Sequence, residues 1–186
     1  RPLTMPSMKR KGQEEIASLL VSRISQKCLG QSLDGRLKSI EQKPMIVAVT
    51  AGIIIKDNKV LVVQRKPDSS RGLFWEFPGG KVKQGEDPRQ CLKRELQEEL
   101  GVEVKAGKRF EIVYHQYQDV KILLLSYLCR LVQGEPQAVD CHRIRWVTER
   151  ELRDLPMTEA DIPLRNAMCT NNGLLQSPAR GHFGRP

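Results

Sequence analysis

The sequence predicts an α+β domain built around a mixed β-sheet, and three observations carry that prediction. Runs rich in β-branched residues occupy 46–55 and 60–65, a well-marked amphipathic helix covers 87–100, and the strict strand–helix alternation of a doubly wound fold is missing. The chain has 186 residues, room for one domain with a core and flanking segments but not for two enzymatic domains.

Residues 1–44 are expected to form an N-terminal extension. Ile16, Leu19, Leu20 and Ile24 have the spacing of a short amphipathic helix, and Gly30, Gly35 and Pro44 break the pattern after it. A peripheral appendage and a docking arm are both open for it. The domain itself is placed at 45–170. Ile46 to Ile55, a turn at Asp57-Asn58, and Val60 to Arg65 form a hairpin. Pro67 to Gly72 is loop, and Leu73 to Phe77 is a short aromatic strand ended by Pro78-Gly79-Gly80. The helix runs from Asp87 to Leu100, with Pro88 in its first turn and Gly101 as its stop. Phe110 to Tyr117 and Val120 to Val132 pair as strands around Gln118-Asp119, Arg143 to Val147 adds another strand, Thr148 starts a short helix, and Ala160 to Met168 forms the last one. Residues 171–186 turn to Asn, Gly, Ser and Pro, a composition that predicts a disordered tail.

Composition narrows the function. Hydrophobic residues at 39% and charged residues at 28% are the balance of a globular protein, and no apolar run approaches the roughly 20 residues needed to span a bilayer, so no membrane partner is expected. The formal charge is +9, yet residues 45–169 hold 20 Lys/Arg against 18 Asp/Glu, while residues 1–44 hold 9 against 4. Basicity confined to the flanks suits a small anionic ligand better than a nucleic-acid polymer. The five cysteines form no C-x-x-C pair, which argues against a disulfide framework or zinc site and for a reducing, cytoplasmic setting. Lys9-Arg10-Lys11 is not followed by the apolar stretch of an export signal. The sequence does not address oligomeric state.

The chemistry concentrates on the helix. Glu95, Glu98 and Glu99 fall within an arc of about 100° beside the apolar stripe Leu92, Leu96 and Leu100. Three like charges so close repel unless a cation or basic partner offsets them. Dense oxygen donors select Mg²⁺ or Mn²⁺. A solvated acidic face is the alternative, but Glu86 precedes the helix, Arg94 can orient the carboxylates, and Gly79, Gly80 and Gly85 let backbone approach closely.

These residues resemble a known signature. Gly80, Glu86 and the run Arg94-Glu95-Leu96-Gln97-Glu98-Glu99-Leu100-Gly101-Val102 match the Nudix pattern G-x5-E-x7-R-E-U-x-E-E-x-G-U, U being aliphatic, at every specified position. Trp75-Glu76-Phe77-Pro78-Gly79-Gly80-Lys81 leads into it as in the MutT-like branch, which includes 8-oxo-dGTP diphosphatases and CTP pyrophosphohydrolases. The resemblance, from about 45 to 168, implies an α/β/α sandwich with a mixed sheet. It also implies Mg²⁺-dependent hydrolysis of a nucleoside triphosphate to the monophosphate and pyrophosphate, with 8-oxo-dGTP the leading substrate and CTP or another nucleoside diphosphate derivative the alternative. A non-catalytic binding module is the remaining reading, though such modules usually lose box carboxylates that this chain keeps.

By the same resemblance, the carbonyl of Gly79 together with Glu86, Glu95, Glu98 and Glu99 would hold the metal. Glu95 or Asp140 would act as general base, with Arg94 and Glu98 completing the catalytic set; Asp140 is equally readable as a turn residue. Arg65 would contact phosphate, or else be an edge-strand charge. Asp161 would bind the base, or else cap the following helix; MutT itself has Asn there and the CTP-cleaving relatives Asp. Phe77, with Leu73, would line the base pocket. Cys91 reads as a small packing residue, and His115 and His142 as surface residues.

Overall fold

The computed structural model describes residues 45–170, so the expectations for 1–44 and 171–186 lie outside it. The strands are β1 (Ile46–Lys56), β2 (Lys59–Gln64), β3 (Trp75–Glu76), β4 (Glu103–Gln116), β5 (Lys121–Gln133) and β6 (Arg143–Val147), and the helices are α1 (Pro88–Leu100), α2 (Glu149–Asp154) and α3 (Ile162–Thr170). Sheet order is β3-β2-β1-β5-β4, with β6 also pairing to β2. β1 runs parallel to β5 and antiparallel to β2, so the sheet is mixed, as the sequence predicts. Among the described residues no helix is long and apolar enough to cross a membrane.

Asp57 and Asn58 both adopt left-handed φ, 50° and 58°, the geometry that closes a two-residue hairpin with the twist of its strands. The hairpin is shorter than its sequence suggests. Only Ile55–Val60 and Lys56–Lys59 pair, after which β1 continues alongside β5 and β2 turns toward β6 and β3. The backbone groups β1 would have offered β2 go instead to the glycine loop. Gly52 N–H donates to Pro78 O at 2.8 Å, Thr50 N–H to Gly80 O at 2.8 Å, and Val82 N–H to Ala48 O at 3.0 Å. Buried backbone polar groups require partners, so this splay fixes the loop that precedes α1.

Strand alternation divides the core. Ile54, Leu61, Val63 and Leu125 face α1, where Leu92, Leu96 and Leu100 are fully buried. Ile53, Val60, Val62 and Leu124 face the opposite side, against Leu152 of α2 and Leu164 and Met168 of α3. Helices therefore cover both faces, giving the α/β/α sandwich. Burying each large aliphatic side chain contributes about 1.5–3 kcal/mol, which makes the three α1 leucines the main anchor of the helix. Asp87 Oδ1 accepts from Arg89 N–H at 2.9 Å and Gln90 N–H at 3.2 Å, and Gly101 ends the helix at φ 69°. Thr148 and Glu151 form a capping box on α2.

Two strand boundaries differ from expectation. β4 begins at Glu103 rather than Phe110. Its first half, Glu-Val-Lys-Ala-Gly-Lys-Arg, has weak β-propensity, and pairing with β5 supplies what local preference lacks, with register shifts on both sides of Arg109. The expected strand from Leu73 to Phe77 contracts to Trp75–Glu76 because Arg71 and Leu73 stand at φ 58° and 65°, incompatible with a strand.

Candidate active site

The glycine loop brings α1 against β1. Gly79 has φ 153°, and a Cβ there would lie 2.1 Å from Thr50 O. A Cβ on Gly80 would lie 2.3 Å from Glu95 Cδ, so the first glycine of the signature is the space its carboxylate occupies.

The four box carboxylates fall into two sets. Arg94 gathers three: Nε and Nη2 donate to Glu86 Oε1 and Oε2 at 2.8 and 2.9 Å, and Nη1 to Glu95 Oε1 at 2.7 Å and Glu98 Oε2 at 3.1 Å. Hydrogen bonds from Arg94 and from Lys83 N–H hold the Glu86 carboxyl down at about 2. Glu99 makes the second set. Its Oε2 accepts from Gly79 N–H at 3.4 Å, and it lines a cavity of about 400 Å³. Burial first, then the charges of Glu76 and Glu95, push its carboxyl up to about 8.

A divalent cation suits this donor set in chemistry and in charge. Three carboxylates share the single guanidinium of Arg94, and the resistance of Glu99 to ionisation is the kind a cation relieves. Among the described residues, no three His, Cys, Asp or Glu side chains stand close enough together to hold a metal as they are. The oxygens that Arg94 engages, on Glu86, Glu95 and Glu98, are the ones a cation at this helix would have to share with it.

Aliphatic side chains of β1 and β5 line the rest of the cavity, including Val49, Ile122 and Leu124, together with Arg65, Glu76, Phe77 and Asp161. Arg65 Nη1 donates to both oxygens of Glu76, at 3.0 and 2.8 Å, and its Nε to Ser70 O at 2.8 Å. It is thus no free edge-strand charge. Burial raises the Glu76 carboxyl and Arg65 opposes the rise. Asp161 is 5% exposed. Its Oδ1 accepts from Phe77 N–H at 3.1 Å and its Oδ2 lies 2.6 Å from Thr158 Oγ1, so the side chain bridges to β3's end rather than capping α3. Burial first, then Glu76, raise its carboxyl to about 7.

Other expected residues lie elsewhere. Asp140 is exposed and paired with Lys66, although its N–H donates to Glu99 O at 3.2 Å, so the loop is near while the carboxylate points to Lys66. Leu73 is 48% exposed and does not line the cavity. Cys91 is buried against Thr50, its thiol pushed up to about 11 by burial, consistent with a packing role. His115 is not a free surface residue: its ring meets Tyr117 edge-on, centroids 4.3 Å apart. Glu76, Arg71 and Tyr117 also line the cavity, and sequence reasoning misses all three as site residues. A glutamate between Trp75 and Phe77 in a short buried strand is the available signal for the first.

Comparison with known proteins bears on this geometry. Residues 47–167 match the NUDIX domain family. The chain is similar to the CTP pyrophosphohydrolase of Escherichia coli K12, 36% identical over 122 residues that cover 66% of this chain and 90% of that one. It is also similar to the 8-oxo-dGTP diphosphatase of Proteus vulgaris, 44% identical over 81 residues, 43% of this chain and 72% of that one. Of solved structures, MutT of methicillin-resistant Staphylococcus aureus 252 is 35% identical with a TM-score of 0.57, covering 68% of this chain and 98% of that one. The MutT Nudix hydrolase of Burkholderia pseudomallei is 26% identical with a TM-score of 0.60, covering 66% and 97%. Nearly the whole of each solved relative is thus contained in about two thirds of this chain.

Proposed function

This chain belongs to the Nudix family, and from that premise we propose that it hydrolyses a nucleoside triphosphate to the monophosphate and pyrophosphate, with 8-oxo-dGTP as substrate and Mg²⁺ as the metal. One observation carries the proposal: Glu99 of the carboxylate helix lines the same cavity as Arg65 and Asp161. A metal donor, a cation for phosphate and a carboxylate for the base would thereby share one space, which supports the reading because a nucleotide needs all three together.

The residues that would hold Mg²⁺, or Mn²⁺ in its place, are Glu95, Glu98, Glu99 and the carbonyl of Gly79, with Glu86 alongside. When bound, the metal supplies positive charge to the phosphoryl oxygens and the departing pyrophosphate and acidifies the attacking water. Arg65 offers its guanidinium to a phosphate from within the cavity, prepositioned by Glu76 and Ser70. Arg94 orients Glu95, and Glu95 takes the water's proton. Asp140, engaged by Lys66, is the less suited base. Asp161 and the aliphatic wall select the base.

A second substrate, CTP, is favoured by two specific observations. Position 161 carries a carboxylate rather than an amide, and the similar Escherichia coli protein named CTP pyrophosphohydrolase is matched over 90% of its length. The deciding experiment is turnover with Mg²⁺ on 8-oxo-dGTP, dGTP, CTP and dCTP, resolving pyrophosphate from orthophosphate. Pyrophosphate released fastest from 8-oxo-dGTP supports the first assignment, and release fastest from CTP supports the second. Orthophosphate alone overturns the bond assignment, and no turnover on any of them returns the chain to a binding role. Glu98→Gln should abolish turnover without altering the fold, since Glu98 is exposed on α1.

A further inference from the structure

The cavity rim holds an arrangement that neither the signature nor the proposed hydrolysis uses. Arg71 sits on the loop between β2 and β3 at φ 58°. Its guanidinium lies over the Tyr117 ring, 3.4 Å from the centroid, while Nη2 reaches Asp119 Oδ1 at 3.2 Å and Nε reaches Glu159 Oε2 at 3.8 Å. Three separate segments, the β2–β3 loop, the β4–β5 turn and the segment before α3, meet on this one side chain. The Tyr117 hydroxyl accepts from Ala160 N–H at 3.1 Å, and Ala160 directly precedes Asp161. A continuous chain of contacts therefore runs from Arg71 through Tyr117 to the backbone that carries Asp161.

We propose that Arg71 is a positioning residue for nucleobase selection, fixing Asp161 through Tyr117 while leaving bond cleavage at the carboxylate helix untouched. Its loop is built to present it. Gln64 Nε2 donates to Leu73 O at 2.9 Å, Arg65 N–H to Phe74 O at 3.0 Å and Leu73 N–H to Arg65 O at 3.2 Å, so the loop is pinned to the end of β2. A planar guanidinium can lie flat on the ring while its edge bonds Asp119 and pairs with Glu159, a combination an ammonium, as a point donor, does not reproduce. Arg71 and Tyr117 both line the cavity, so the fixed ring is part of the wall the base meets. Loosening it moves Asp161's backbone and the direction of its carboxylate. A displacement of that size changes which base edge is matched, because selectivity between bases depends on one or two well-placed polar groups.

The inference rests on the proposed hydrolysis, and the experiment separates the two. Wild type, Arg71→Gln, Arg71→Lys and Tyr117→Phe are compared for kcat and KM on the preferred and a poorer triphosphate, and for binding of nonhydrolysable α,β-methylene analogues of both. Arg71→Gln and Tyr117→Phe should each raise KM for the preferred nucleotide by about five- to tenfold with kcat within about twofold, the size expected from losing one stacked cation contact or one hydrogen bond. The ratio between the two nucleotides should shrink, and Arg71→Lys should not rescue it. The double variant Arg71→Gln/Tyr117→Phe should be no worse than either single one, since both break the same chain of contacts. Thermal melting checks that each variant is folded. Unchanged selectivity, a loss confined to kcat, full rescue by lysine, or additive effects would overturn the inference. If wild type hydrolyses nothing, the proposed function falls and analogue binding decides: selective binding lost in the variants sustains the positioning role, and unselective binding by wild type overturns it.

Discussion

Glu95 fills the volume that a side chain at position 80 would need: a Cβ built on Gly80 lies 2.3 Å from Glu95 Cδ and 2.4 Å from its Oε2. Gly80→Ala therefore cannot keep Glu95 where Arg94 holds it. The glycine loop is tied to β1 by three backbone hydrogen bonds and the flexible partner is the glutamate, so the carboxylate yields rather than the fold. Gly80→Ala should lose turnover by about 100-fold or more while its melting temperature falls only a few degrees, because misplacing a catalytic group by about 1 Å is costly to rate and cheap to stability. Steady-state kinetics beside a melting curve checks this, and retained activity would separate Glu95 from the chemistry.

Glu99 is placed at a cost to the fold. Burial and the charges of Glu76 and Glu95 resist its ionisation, so the metal-free protein carries a carboxyl raised to about 8 from an ordinary 4.5. The unfolded chain releases that proton at lower pH, and stability therefore falls as pH rises through this window. Glu99→Gln should raise metal-free stability by about 1 kcal/mol near pH 9 and much less near pH 6, while weakening Mg²⁺ binding. Urea denaturation at both values, with calorimetric metal titration, tests the pair of effects.

What could be read in the sequence was what local periodicity encodes. The arc of Glu95, Glu98 and Glu99 beside Leu92, Leu96 and Leu100 follows from 3.6 residues per turn, and the Asp87 cap and Gly101 stop follow from residues next to the helix they bound. The splay of β1 from β2 did not show, because it depends on Pro78, Gly80 and Val82 competing for the backbone of β1 across the fold. Nor did the meeting of Arg71 with Tyr117, 46 positions apart in sequence, or the turn of Asp161 toward Phe77 rather than toward its own helix. Such pairings are set by tertiary geometry, which no window along the chain contains.

Asp161 should make base preference depend on pH. Its carboxyl is raised to about 7 by burial and by Glu76, from an ordinary 3.8. Below that value the group carries a proton and can donate to a base carbonyl or ring nitrogen; above it, both oxygens only accept, favouring an amino or ring N–H edge. The ratio of kcat/KM for two triphosphates that differ at this edge should change between about pH 6 and about pH 8 in wild type and stay flat in Asp161→Asn, which has no proton to lose. A flat wild-type ratio would place base selection elsewhere.

Arg65 is the partner of Glu76 and the proposed contact to phosphate, and the two can be pulled apart. It is hydrogen-bonded to both oxygens of Glu76 and is one of the cations, with Arg71 and Lys81, that line a cavity holding Glu76, Glu99 and Asp161. Removing it in Arg65→Met leaves Glu76 buried beside two other carboxylates. Breaking a buried pair costs about 3–5 kcal/mol, but with side chains 29% and 22% exposed solvent reduces the penalty, so a loss of about 2 kcal/mol is expected. Adding Glu76→Gln removes the stranded charge and should return most of that stability. It cannot return a cation for the phosphates, so KM should remain raised by about tenfold or more in the double variant. Chemical denaturation and kinetics on the same three proteins give the answer: recovery of both stability and KM would reduce Arg65 to a structural partner of Glu76, whereas recovery of stability alone would leave the phosphate contact as its function.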